Sequence, residues 1–70
     1  MLIMSQDKTL IMNLDNADDI DLDANSDYLT IDIDNCEVGK YENEERCKEI
    51  LNDIMKIAEA GGRVFYMPQK

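Results

Sequence analysis

From Ile20 to Asp34 the chain alternates. "IDLD" and then "YLTIDID" set an isoleucine or leucine at every second position, with aspartate or threonine between them. A period of two marks a half-buried strand, because successive side chains point to opposite faces of a sheet. From Asn43 the period changes. Cys47, Ile50, Leu51, Ile54, Ile57 and Ala58 fall at spacings of three, one, three, three and one, the stripe of an amphipathic helix. A chain that switches once from period two to helical period, and has 70 residues to do it in, is expected to lay one helix across a small sheet as a single domain, 1–70.

The flanks complete the order. "LIMS" (Leu2 to Ser5) and "TLIMNL" (Thr9 to Leu14) are short apolar runs around Gln6-Asp7-Lys8, which suits a hairpin. Ala24-Asn25-Ser26-Asp27 and Asp34-Asn35 are turn formers, and "CEVGKY" reads as a short strand ending near Tyr41. Asn43 is a plausible helix N-cap, with Glu44 and Glu45 where the helix dipole favours negative charge. Gly61-Gly62 supplies the C-terminal stop. "RVFYMP" (Arg63 to Pro68) is a last strand ended by its proline. The expected fold class is therefore α+β: a small antiparallel sheet of about five strands on one helix in the C-terminal half, with a strand after the helix.

Alternation also accounts for much of the charge. Seven aspartates lie between Asn16 and Asn35, and the whole chain carries a net −9 from 16 acidic and 7 basic residues. If the isoleucines and leucines of the strands face the helix, then Asp21, Asp23, Asp32 and Asp34 face water. Carboxylates facing one another across a hairpin repel, which is a reason to expect a cationic surface over them. The same charge argues against direct binding of nucleic acid, which requires Lys and Arg to neutralise phosphates, and against anionic membrane surfaces.

Chemistry finds few templates. Asp21, Asp23 and Asn25 match positions one, three and five of a calcium loop. Ser26 then stands where glycine is needed, and Asp32 where a bidentate glutamate is needed. Two cysteines without a histidine cannot complete a zinc site or a Cys–His nucleophile, and no phosphate-cradling glycine loop is present. No metal, cofactor or catalytic residue is expected. Cys47 reads as a small core residue, and Met1-Leu2-Ile3-Met4 is too short to span a bilayer. So small a domain needs support. With no leader sequence pointing to an oxidising compartment, a cytoplasmic homo-oligomer is expected. At the C-terminal end, Arg63, Phe65 and Tyr66 combine a guanidinium with aromatic rings. Such groups stack on a base and hold a phosphate, although they also suit a subunit interface.

The stretches "MLIMSQDKTLIMNLDN", "GKYENEERCKEIL" and "VFYMPQK" together resemble a group of short, mostly uncharacterised accessory proteins of phages and prophages in Gram-positive bacteria. In that group a Ser-Gln-Asp hairpin opens the chain. A Gly-x-Tyr-x-x-Glu-Glu-Arg segment starts a helix, and a Tyr-x-Met-Pro ending closes it. Here Asn43 replaces the usual Ser/Thr cap, and the middle is short and acidic. The resemblance implies a non-enzymatic protein that inhibits a host defence factor by binding. One version uses the acidic face of Asp21, Asp23, Asp32 and Asp34, with Glu37, against a basic host protein. An alternative is an oligomer that captures a small cyclic nucleotide signal with Arg63, Tyr66 and Tyr41, helped by Lys8 or Arg46. A third is a structural or regulatory phage protein with protein–protein contacts only.

Overall fold

The computed structural model describes residues 1–24 and 28–70; the expected turn beyond Ala24, through Asp27, and the Asn25 and Ser26 positions of the calcium register lie outside them. Among the described residues six strands, a 3-10 turn and one helix follow the chain as β1 (Leu2–Met4), β2 (Ile11–Asn13), the 3-10 turn Leu14–Asn16, β3 (Ile20–Ala24), β4 (Leu29–Ile33), β5 (Cys36–Tyr41), α1 (Glu44–Glu59) and β6 (Val64–Tyr66). The class is α+β, with the helix and the last strand where the sequence places them.

The strands form two three-stranded sheets instead of one. β3-β4-β5 is an antiparallel meander, and β2-β1-β6 joins the opening hairpin to the last strand. β6 runs parallel to β1, Ile3 opposite Phe65. Two adjacent antiparallel strands need only a tight turn, whereas a parallel partner requires a long crossover; here the whole second sheet and α1 lie in that connection.

One core serves both sheets. Ile3 and Phe65 enter it from the first, Ile31, Ile33, Val38 and Tyr41 from the second, and Cys47, Ile50 and Ile54 from α1. Leu51 and Ile57 are half-buried at the margin of the helical stripe, and Ala58 is exposed. The hydroxyl of Tyr41 donates to the carbonyl of Pro68 at 2.8 Å. Its ring lies over Gly39 so closely that a Cβ there would stand 2.6 Å from it. Glycine at this position lets the ring pack on bare backbone.

Both helix ends are built as the sequence implies. Asn43 accepts the backbone N–H of Arg46 at 2.8 Å. At the other end Gly61 takes φ +80, while Gly62 N–H returns to Ile57 O at 2.8 Å and Gly61 N–H to Ala58 O at 3.1 Å, a Schellman stop.

The opening Ser-Gln-Asp turn has a structural task at each residue. Ser5 Oγ accepts Leu10 N–H at 3.1 Å and donates to Asp7 Oδ1 at 2.8 Å. The same carboxylate oxygen accepts the Thr9 hydroxyl at 2.7 Å and the Thr9 N–H at 3.1 Å. Those hydroxyl bonds, Thr9 first, hold the Asp7 carboxyl below its ordinary range. Gln6 spans the two sheets. Its N–H donates to Val38 O at 2.7 Å, and its side-chain amide exchanges hydrogen bonds with both Lys40 N–H (2.9 Å) and Lys40 O (3.0 Å), acting as an extra strand partner for β5.

Candidate binding face

The meander positions the acidic residues. In its register Asp21 of β3 faces Asp32 of β4, and Asp32 faces Glu37 of β5. Three carboxylates thus form one row across all three strands, with neighbouring Cβ atoms about 5 Å apart. The Asp32–Glu37 pairing depends on a register shift. Ile31 faces Gly39 while Asp32 faces Glu37, so Val38 is an extra residue, and its side chain drops into the core. A bulge re-aims side chains locally; without this one, Asp32 would face Val38, and Glu37 would leave the row.

Asp21 and Glu37 are exposed and Asp32 is half-buried. Asp32 Oδ1 is buried, and no described group hydrogen-bonds it. A buried acceptor without a partner costs stability, and so do like charges set directly opposite one another. The adjacent row is ordinary by comparison. Asp23, Thr30 and Lys40 face one another there, acid, hydroxyl and base, with the Lys40 ammonium 4.2 Å from the centre of the Tyr28 ring. The same sheet therefore carries one balanced row and one row of acids only.

Asp34 does not belong to that face. β4 ends at Ile33, and Asp34 sits in the following turn at φ 50. Its Oδ1 accepts the backbone N–H groups of Asp18 (2.9 Å) and Asp19 (3.2 Å). Alternation cannot be extended into a left-handed turn residue, and this carboxylate serves the loop.

Arg63, Tyr66 and Tyr41, the main residues considered for a nucleotide, are not brought together within one chain, although Tyr41 and Arg46 line one groove. Tyr41 is 3% exposed, with its hydroxyl engaged by Pro68 and its pKa pushed up to about 12, chiefly by burial. Arg63 lies just before the last strand, at the opposite end of it from Pro68, in a shallow depression with Met1, Leu2, Asn13 and Asp15. Tyr66 is 66% exposed on the opposite side of β6 from the buried Phe65.

A feature that sequence patterning misses is an open groove of about 930 Å³ at the start of α1, where Lys40, Arg46, Lys48 and Lys70 meet Glu42, Glu45 and Glu49. Arg46 donates from Nε to Lys70 O at 2.9 Å and from a terminal nitrogen to Glu49 at 3.4 Å, so its guanidinium is already engaged. Only the clustering of Arg46 and Lys48 at the helix start hinted at it.

Cys36 is exposed and Cys47 buried, both free, and burial pushes the Cys47 thiol up. Among the described residues no group of three or more acidic, cysteine or histidine side chains is placed to hold a metal ion, and no helix is long and apolar enough to cross a membrane. In comparison with known proteins, no family model matches the chain, no curated protein matches its sequence, and no solved structure matches its fold.

Proposed function

We propose that this protein acts by binding and not by catalysis, docking the outer face of β3-β4-β5 onto a basic surface of another protein. The phage-protein resemblance makes that partner a host factor in the cytoplasm, inhibited by being covered. One observation carries the reading: Asp21, Asp32 and Glu37 stand side by side in register, with an Asp32 oxygen buried and given no donor by the described residues. Folding does not ask for this. A wet sheet face is served equally well by the mixed row beside it, and a sheet loses stability when acids oppose acids. Contact with a row of Lys or Arg would reverse the sign of each repulsion and give Asp32 its missing donor.

Binding of this kind is steered by charge and weakens as salt screens it. The test is retention of host-lysate proteins on the immobilised chain, with Asp21→Lys/Asp32→Lys as comparison. Wild type should retain one or a few basic proteins that elute with moderate salt, and the double reversal should lose them. Equal retention by the charge-reversed chain would end the proposal.

A further inference from the structure

The first sheet has a face that the core leaves uncovered. In its register Ile3 lies between Met12 and Phe65, and these three point inward. The outward positions are Ile11, Met4 and Tyr66 in one row and Asn13, Leu2 and Val64 in the next. Five of the six are apolar or aromatic, and none is charged. Tyr66 is 66% exposed, Ile11 57%, Val64 42% and Leu2 41%, while Met4 is half-buried.

We infer that this face is where a second copy of the chain docks, sheet against sheet, about a two-fold axis. Charge selects the occupant. The protein carries a net −9, and two copies approaching through the acidic meander would repel. The six outward strand positions of β2-β1-β6 carry no charged side chain, so two copies can bring these patches together while their acidic surfaces stay in water. A two-fold contact uses the same patch on both partners, which makes an apolar face its own complement.

Area agrees with a modest dimer. An aromatic side chain offers on the order of 200 Å² and an aliphatic one somewhat less, so these exposures amount to roughly 400 Å² of apolar surface per copy. That is the size of the largest apolar patch on a typical monomer, often a functional one. A stable interface takes about 800 Å² from each partner. The patch supplies about half of that, which places the dimer among weak, concentration-dependent ones.

The experiment is sedimentation equilibrium of the full chain from about 5 to about 500 µM, with Ile11→Asp, Tyr66→Asp and, as control, Met55→Asp on the exposed side of α1. Wild type should pass from 8.0 kDa to twice that mass. Ile11→Asp and Tyr66→Asp should each raise the dimer dissociation constant about tenfold or more, the loss expected at the centre of an interface. Met55→Asp should leave it unchanged. Added salt should hold or tighten the dimer, the reverse of its effect on a basic partner. A chain that stays at the single-copy mass throughout overturns the inference, and so does a dimer that both face variants leave intact. Should either variant fail to fold, isotope-filtered NOEs in mixed labelled and unlabelled wild type decide. Methyl contacts between copies from Ile11 and Val64 are expected, and their absence overturns it.

Discussion

Tyr41 shows how much one side chain can tie together. Its ring lies on Gly39, its hydroxyl reaches the Pro68 carbonyl at 2.8 Å, and it is 3% exposed. The sequence marks it as the end of a strand and a candidate ligand residue. It could not show that the chain folds back to place Pro68 above it, a contact across 27 positions. Burial holds the phenol neutral, with its pKa moved from 10.0 to about 12, while nearby Arg46 works in the opposite direction. Above pH 10 the unfolded chain releases a proton that the folded chain keeps. The contribution is thus complete below pH 10 and is lost as pH rises toward about 12. Denaturant midpoints measured from about pH 9 to about pH 11.5 should fall, and fall less steeply in Tyr41→Phe. That variant should start about 1 kcal/mol less stable at neutral pH, since the Pro68 carbonyl loses its donor. Parallel pH profiles for the two proteins would remove Tyr41 from the account.

At the scale of elements, helix and strands differ in how far sequence reaches. α1 was legible at both ends because its signals are local: Asn43 caps, and Gly61 and Gly62 turn the chain within one another's reach. β3 and β4 were legible from alternation, which correctly put Ile31 and Ile33 inside and Asp21 and Asp32 outside. β5 was only half legible. Its bulge at Val38 has no composition of its own, and the Asp32–Glu37 pairing that follows from it cannot be read from spacing. That pairing matters most for the acidic row, because it brings the third carboxylate into line. If the row exists for a partner and not for the fold, neutralising its middle member should help the fold. Asp32→Asn keeps the shape, removes two like-charge oppositions and provides an amide that can donate to the flanking Asp21 and Glu37. Urea denaturation at low salt should show a gain of roughly 0.5–1 kcal/mol, while binding to the retained basic protein weakens. A clear loss of stability instead would mean that the fold uses this carboxylate, and the case for a docking row would lose its premise.

For the whole molecule, the hardest thing to see in advance was that two sheets exist. Local patterns assign strands but not partners, and β1 chooses β6 across almost the full length of the chain, beside a β2 that any hairpin rule would find. What then keeps two small sheets one folding unit is the shared core and the seam at Gln6. Its N–H satisfies the Val38 carbonyl on the open edge of β5, and its amide reads both polar groups of Lys40. Gln69 closes the same seam, donating to Gln6 O at 2.8 Å and accepting from Gln6 Nε2 at 2.9 Å. These groups are exposed, so water can replace much of what Gln6 provides, and Gln6→Ala should cost only about 1 kcal/mol globally. Its larger effect should be on cooperativity. Small domains unfold as a unit when their parts are energetically coupled, and removing this side chain leaves the core and the backbone bond from Gln6 N–H to Val38 O to couple the sheets. Native-state hydrogen exchange should show the Lys40 amide losing its protection at once, with the β1–β6 amides then opening at a lower free energy than those of β4. If in Gln6→Ala both sheets still exchange together at the global free energy, the seam is not what makes them one unit, and the shared core of Ile3, Phe65, Ile31 and Ile50 suffices.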